Sequence, residues 1–276
     1  MSTNDFIDDL LNLMTRLRDP ETGCPWDLKQ TYQTIVSSTL EEAYEVVDAI
    51  ERKDYEQLKD ELGDLLFQVV FYSQLGKEEG RFDFQQIVKD VTQKLLRRHP
   101  HVFPDGTLDS RRKSENQDLD HEANIKQSWE RLKQEERQQK GKKSLLDDIP
   151  KTLPATSRSV KLQKRAASVG FDWPSINGVY EKIQEELGEL QRASSFDDQH
   201  KVEEELGDLL FTVINLSRHL SVEPEKALRL ANYKFEQRLR YMEGQANFLS
   251  QPLSKQPLTV LEEWWQEAKN ASNSKK

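Results

Sequence analysis

One seven-residue segment, Glu-Leu-Gly-Asp-Leu-Leu-Phe, occurs twice in this 276-residue chain. Its copies begin at Glu61 and Glu205, which are 144 residues apart. Acidic residues upstream repeat at the same offset, so that each half has Glu-Glu-x-x-Glu followed by Glu-x-x-Asp. These residues are Glu41, Glu42, Glu45, Glu61 and Asp64 in the first half, and Glu185, Glu186, Glu189, Glu205 and Asp208 in the second. A repeat of this length predicts a duplicated domain.

The rest of the chain is predicted to be helical, because apolar residues recur at helical spacing and no segment alternates as a half-buried strand does. Helices are predicted over 4–18, 33–52, 54–76, 83–98, 155–168, 175–194, 198–220, 224–246 and 257–270, with a highly charged helix at 122–143. We therefore predict an all-α protein of two tandem helical bundles, at residues 1–104 and 153–276. A charged linker at 105–152 joins them.

Composition narrows the class of protein. The net charge of −9 argues against broad nucleic-acid binding, which depends on a basic surface. The single cysteine, Cys24, excludes an intramolecular disulfide and suits a reducing cytosol. No apolar run approaches the roughly 18 residues that a membrane span needs, and no basic, apolar signal sequence begins the chain. We expect a soluble cytoplasmic protein.

The spacing of the acidic residues predicts a metal site. Glu186 and Glu189 are three apart and share one helix face, as Glu205 and Asp208 do on the next helix. A short break between the helices makes them antiparallel neighbours, so both pairs can face each other. Converging carboxylates repel one another unless a cation lies between them. Oxygen ligands suit Mg²⁺ or Mn²⁺. The first half offers a second set: Glu42, Glu45, Glu61 and Asp64.

A solvated acidic face is the common alternative for such a pattern. Two features favour a site. The acids border the apolar positions Leu206, Leu209 and Leu210, which predicts partial desolvation. Gly63 and Gly207 also lie in the middle of helices, where glycine is unfavourable, and this suggests close approach of a helix or a ligand.

Basic and aromatic residues are candidates for the nucleotide or phosphate end of such a site. They are Lys201, which precedes the acidic pair, Lys234 and Arg238 on helix 224–246, and Trp265. Lysine and arginine clamp phosphate oxygens, and tryptophan can stack on a base. The alternatives are that the basic residues balance nearby acids and that Trp265 closes a core.

At these motifs the chain resembles the MazG family of nucleoside triphosphate pyrophosphohydrolases, over nearly its whole length to about residue 270. Further blocks of resemblance are Gly23-Cys24-Pro25-Trp26-Asp27, Gly80-Arg81-Phe82-Asp83, residues 97–103, Val169-Gly170-Phe171-Asp172-Trp173 and Lys234-Phe235-Glu236. One position departs from the family pattern. Gln237 stands where the common Lys-Phe-Glu-Arg-Arg run has its first arginine.

The resemblance implies an all-α homodimer that cleaves nucleoside triphosphates to monophosphate and pyrophosphate, with Mg²⁺ and with broad tolerance of the base. It places the working site in the C-terminal half. It implies metal ligands at Glu186, Glu189, Glu205 and Asp208, and nucleotide contacts at Lys201, Lys234, Arg238 and Trp265. The N-terminal acids are also intact, so the motif alone does not explain a silent first half.

Our hypothesis is metal-assisted hydrolysis, in which Glu185 or Glu204 accepts a proton from the attacking water. Two alternatives stay open. The chain could be a nucleotide or alarmone sensor with little turnover, or an interaction scaffold in which the arm at 118–143 contacts a partner.

Overall fold

The computed structural model describes residues 5–111, 125, 128–129, 131–133, 135–136, 141, 144–196 and 198–273. In these residues the regular structure is helical and no strand occurs, so the all-α prediction is confirmed. The chain divides into two compact units, Met1–Glu136 and Arg137–Lys276. The main helices are α1 (Asp5–Leu17), α2 (Val36–Arg52), α3 (Tyr55–Glu78), α4 (Phe84–Arg98), α5 (Ala155–Ala167), α6 (Ile176–Ser194), α7 (Gln199–His219), α8 (Pro224–Phe248) and α9 (Leu258–Asn273).

Much of the predicted charged helix at 122–143 lies outside the described residues. Its described residues up to Glu136 are helical, and two of them contact the end of α4. The ring of Trp129 lies 5.0 Å from that of His99, edge to face, and Glu136 accepts a hydrogen bond of 2.5 Å from Arg98. These contacts place the segment up to Glu136 in the N-terminal unit.

The core of the N-terminal unit lies where α1 packs on α3. Five residues are buried together there: Met14, Ile35, Val70, Phe71 and Leu75. The short connection between α2 and α3 makes them a helical hairpin. Lys53 ends α2 in the left-handed conformation, and the Asp54 carboxylate caps α3 by accepting from the Gln57 N–H. This hairpin brings the two acidic motifs of the first half side by side.

The C-terminal unit is built around a matching hairpin of α6 and α7. Asp198 caps α7 by accepting a hydrogen bond from the Lys201 N–H. Helix α5 packs against α7, and α8 pairs with α9 through a small core of Met242, Ala246 and Trp264. Pro224 begins α8 at a position where its missing N–H has no cost.

None of the helices in the described part of the chain combines the length and the apolar composition that crossing a membrane requires.

Candidate active site

The α6–α7 hairpin brings three of the predicted carboxylates together. Carboxylate oxygens of Glu186, Glu205 and Asp208 all lie within 4.8 Å of one another. Glu186 is only 4% exposed and Glu205 only 6%, whereas Asp208 is exposed. Two buried carboxylates this close to a third repel one another strongly unless positive charge compensates them.

Two lysines supply part of that charge. Nζ of Lys182 lies 2.8 Å from Glu186, and Nζ of Lys201 lies 2.8 Å from Glu205. Each lysine is four residues before its glutamate, so both pairs span one helical turn. Hydrogen bonds to Glu186 and then Glu185 raise the pKa of Lys182 well above its ordinary value. Bonds to Glu205 and then Glu204 do the same for the pKa of Lys201. Both lysines therefore stay charged.

The N-terminal hairpin gathers a similar cluster, with which no lysine in the described part of the chain forms an ion pair. Carboxylate oxygens of Glu42, Glu45 and Glu61 lie within 4.8 Å of one another. The positions that correspond to Lys182 and Lys201, 144 residues earlier, are Ser38 and Gln57. Gln57 donates a hydrogen bond of 2.9 Å to Glu61 but brings no charge.

Mutual repulsion is visible in the acid–base behaviour of this cluster. Partial burial, followed by the charges of Asp64, Glu45 and Glu61, raises the pKa of Glu42. The charge of Glu61 is the main reason that the pKa of Glu45 is raised. The N-terminal cluster is thus the less compensated of the two.

The fourth predicted ligand of each set lies outside these clusters. In the C-terminal unit Glu189 faces Arg192, whose Nη2 lies 3.4 Å away. In the N-terminal unit Asp64 is exposed and acts on Glu42 only through its charge. The structure therefore assembles three carboxylates in each half, and the roles of Glu189 and Asp64 as ligands stay predictions.

The source of the desolvation differs from our expectation. Glu205 is buried as predicted, but the neighbouring Leu206 and Leu210 are themselves 44% and 55% exposed. Burial of Glu205 comes instead from the packing of α6 on α7. Nor does Gly207 serve a close approach within this chain, since an added Cβ would meet none of the described atoms within 4 Å. The same holds for Gly63.

A cavity of about 830 Å³ opens beside the carboxylates of the C-terminal unit. Glu186, Asp208 and Lys182 line one side of it. The remaining walls are mainly apolar and aromatic, with a few amide and charged groups from α5, the 170–174 loop and α7. They include Leu162, Gln163, Phe171, Trp173, Phe211, Asn215 and Arg218. A volume in this range is typical of small-molecule sites.

The other predicted nucleotide contacts form a separate group on α8 and α9. The Arg238 guanidinium lies over the Trp265 ring, 5.2 Å from its centre, and Phe235 packs on the same ring. Lys234 is exposed one turn earlier on α8. Among the described walls of the cavity, none comes from Lys234, Arg238 or Trp265.

Comparison with known proteins agrees with the motifs. The domain family described as "MazG nucleotide pyrophosphohydrolase domain" matches residues 30–103 and again 175–242, so each match spans one acidic hairpin. This chain belongs to the MazG family.

Relatives of this MazG chain extend over nearly its full length. A protein of Escherichia coli K12 named nucleoside triphosphate pyrophosphohydrolase is 49% identical over 265 residues, which cover 95% of this chain and 97% of that protein. The nucleoside triphosphate pyrophosphohydrolase/pyrophosphatase MazG of Thermotoga maritima is 40% identical over 97% of both chains. YabN of Bacillus subtilis is 39% identical over 94% of this chain and 50% of its own length.

The structure of this MazG chain also shows site residues that sequence reasoning missed. Lys182 precedes Glu186 by the same four residues that separate Lys201 from Glu205, and this parallel was visible in the sequence. The roles of Gln163 and Asn215 as cavity walls had no such signal, because they depend on how α5 packs against α7.

Proposed function

We propose that the C-terminal unit hydrolyses nucleoside triphosphates between the α- and β-phosphates, releasing a nucleoside monophosphate and pyrophosphate. The supporting observation is the group formed by Glu186, Glu205 and Asp208, with a lysine beside each of the two buried glutamates. The named activity of the full-length relatives agrees with this reaction.

The three carboxylates fit a hard divalent cation. They offer only oxygen atoms, they converge, and two of them are almost completely buried. Mg²⁺ is the cation that we propose, with Mn²⁺ as a substitute, held by Glu186, Glu205 and Asp208 and by Glu189 as a fourth carboxylate. When bound, such an ion polarises phosphoryl oxygens and makes a bound water more acidic.

The two lysines would bind and orient the triphosphate. Their Nζ atoms lie beside the carboxylates of the proposed cation site, and their raised pKa keeps both groups charged. Lys234 and Arg238 on α8 would contact the phosphates that leave as pyrophosphate. The Trp265 ring would hold the Arg238 guanidinium in place through their cation–π contact.

Proton transfer would use one of two exposed glutamates. Glu185 accepts a hydrogen bond of 2.9 Å from Lys182, and Glu204 accepts one of 3.0 Å from Lys201. Each lies next to a buried carboxylate and can exchange protons with solvent. Water attacks the α-phosphorus, one of these glutamates takes its proton, and the bond to the bridging oxygen breaks. Full turnover in both Glu185→Gln and Glu204→Gln would contradict this assignment.

The N-terminal cluster of Glu42, Glu45 and Glu61, with Asp64 nearby, would hold a second cation. Burial and then the neighbouring charges raise the pKa of Glu42, and the charge of Glu61 raises that of Glu45; a divalent cation would relieve the repulsive part. The group lacks the two lysines that we assign to the triphosphate, so we propose cation binding there without efficient turnover.

We further propose that the chain is a homodimer. The outer face of α7 exposes Leu206, Leu210 and Val213 at helical spacing. A contiguous apolar strip of this kind is typical of an interaction surface. Light scattering should report twice the chain mass, and Leu210→Glu should reduce it. An unchanged mass in Leu210→Glu would mean that this face is not the contact.

Phosphate-product analysis tests the reaction. The full chain is incubated with ATP, GTP, CTP, UTP and deoxynucleotides in Mg²⁺, and the wild type is compared with Glu205→Gln and Glu61→Gln. We expect monophosphate and pyrophosphate from several bases, lost in Glu205→Gln and retained in Glu61→Gln. Loss only in Glu61→Gln would move the reaction to the N-terminal unit. Folded wild type that binds nucleotide without releasing pyrophosphate would favour a sensor.

Broad base tolerance would suit a role in cleaning or controlling the nucleotide pool of the cytoplasm. Hydrolysis of one base alone in the same panel would argue against that role.

A further inference from the structure

The cavity beside the carboxylates contains an unused hydrogen-bond acceptor. Gln163, on α5, is 6% exposed and lines this cavity. Its Nε2 donates a hydrogen bond of 2.9 Å to the backbone carbonyl of Phe211 on α7. Its Oε1 is buried and has no hydrogen-bond partner among the described residues. Buried polar atoms are nearly always paired, so this oxygen marks a place for a ligand group that donates.

The orientation of this amide is fixed. If the Gln163 side chain were turned over, Oε1 would face the Phe211 carbonyl and two acceptors would meet. The contact with Phe211 therefore keeps Oε1 as the atom that is free to accept.

A second amide lines the same cavity with the opposite polarity. Asn215 follows Phe211 by one turn on α7, so the two lie on the same helix face. Both Nε and Nη2 of Arg218 donate to Oδ1 of Asn215, at 3.1 and 2.8 Å. A guanidinium only donates, so Oδ1 must face it and the Nδ2 group of Asn215 remains available as a donor. Arg218 itself is held by Asp172.

Two aromatic side chains line the same cavity. Phe171 is 82% exposed, and Trp173 also lies on the surface of the 170–174 loop. The Trp173 ring packs directly over Gly178 of α6, where an added Cβ would come within 2.6 Å of it. The glycine therefore sets the position of the ring.

We propose that this cavity binds the base of the nucleoside triphosphate, which stacks on Trp173 and Phe171 and is read by Gln163 and Asn215. Each common base has an N–H donor next to an acceptor on its pairing edge, and the cavity offers one acceptor and one donor. Away from the carboxylates the walls are mainly apolar and aromatic, which suits a base better than a triphosphate. The cavity meets Glu186 and Lys182, so a base inside it leaves the phosphates at the carboxylates.

The inference rests on the proposed hydrolysis, but its test does not. Binding of adenosine, which has no phosphate, is measured by NMR on the full chain in EDTA. We expect Trp173→Ala to weaken binding about 10-fold through lost stacking. Gly178→Ala, which must displace the ring, should also weaken it. Gly244→Ala is the matched control, since its added Cβ meets none of the described atoms within 4 Å.

A second arm tests the hydrogen bond. Purine riboside lacks the exocyclic amino group of adenosine, so the wild type should bind it about 5-fold more weakly. Gln163→Met should abolish this difference, with retained folding checked by circular dichroism. A difference that persists in Gln163→Met overturns the assignment of the base edge.

The two proposals can fail separately. Loss of adenosine binding in Trp265→Ala, with Trp173→Ala unaffected, would move the base to α9 and overturn the cavity assignment. Adenosine that binds the wild type no better than ribose would also overturn it, whether or not pyrophosphate is released. Intact adenosine binding without pyrophosphate release would instead refute the hydrolysis.

Discussion

The two acidic hairpins have the same carboxylates and different surroundings. In the C-terminal unit Lys182 and Lys201 compensate Glu186 and Glu205, while in the N-terminal unit the corresponding positions are Ser38 and Gln57. Duplication has kept the acids in both halves, but among the described residues the ion-paired lysines lie beside the acids of the C-terminal half alone. The motif therefore describes cation binding in both halves, and the lysines distinguish the half suited to a triphosphate.

The residues that face the space beside each acidic hairpin also differ between the two units. Asn215 lines the C-terminal cavity, and 144 residues earlier stands Phe71, which is buried in the N-terminal core with Met14. The position that corresponds to Asn215 is thus taken by a buried apolar side chain in the N-terminal unit.

The largest expected difference between the halves is catalytic. Glu205→Gln should lower the rate of pyrophosphate release at least about 100-fold, because it removes a charged group from the centre of the proposed cation site. Glu61→Gln should change that rate less than about 2-fold. Equal losses in the two variants would mean that both acidic clusters are needed for one reaction, and that the lysines do not distinguish the halves.

The next largest effect is expected when a residue that distinguishes the two halves is exchanged. Lys201→Gln gives the C-terminal site the residue of the N-terminal one and should lower kcat/KM about 30-fold, through the loss of a charged hydrogen bond to phosphate. Lys161→Gln, an exposed lysine on α5, is the control for charge alone. If Lys201→Gln and Lys161→Gln both match the wild type, Lys201 has no role in binding phosphate.

The reverse exchange tests cation binding at the N-terminal cluster. Gln57→Lys places an ammonium beside Glu61 and should weaken Mn²⁺ binding at the N-terminal cluster by about 10-fold, since the lysine then competes with the cation. Mn²⁺ titration followed by electron paramagnetic resonance measures this, on a Glu205→Gln background that disables the other site. Unchanged affinity would show that the N-terminal glutamates do not hold the ion.

A smaller effect tests how alike the two hairpins are outside their acids. Gly63 and Gly207 lie at matching places in α3 and α7, and neither added Cβ would meet a described atom within 4 Å. Each change to alanine should therefore stabilise its helix by about 1 kcal/mol and raise the Tm by about 3 °C. A loss of stability in Gly207→Ala alone would mean that Gly207 itself lies within the proposed homodimer contact on α7.

The fold was predictable from the sequence because the local spacing of apolar residues indicates each helix. Apolar spacing predicted the bounds of α1 to α9 within a few residues. The pairing of Glu186 with Glu205 followed from the short connection between α6 and α7. Sequence could not show that Glu189 turns toward Arg192, because a three-residue spacing fixes a face and not a side-chain rotamer. Nor could it show the cavity, which arises from contacts between α5 and α7, distant in sequence.

The smallest expected effect concerns charge repulsion in the metal-free protein. Burial and the charges of its neighbours raise the pKa of Glu42 in the folded state, so folding favours its protonated form. That stabilisation is complete below the unfolded pKa and is lost as the pH rises through the higher folded pKa. In EDTA at pH 8, Glu42→Gln should therefore raise the Tm by about 1 °C, and at pH 4 the difference should vanish.

The matched change in the other half should have the opposite sign. Glu186→Gln removes the buried partner of Lys182, so at pH 8 it should lower the Tm. Added Mn²⁺ should then favour the wild type over Glu42→Gln, because the carboxylate that repels its neighbours without metal binds the cation when it is present. Calorimetric scans of the three proteins, with EDTA and with Mn²⁺, measure all of these shifts. A lower Tm for Glu42→Gln in EDTA would show that the N-terminal cluster is compensated after all, and that the two halves differ less than their lysines indicate.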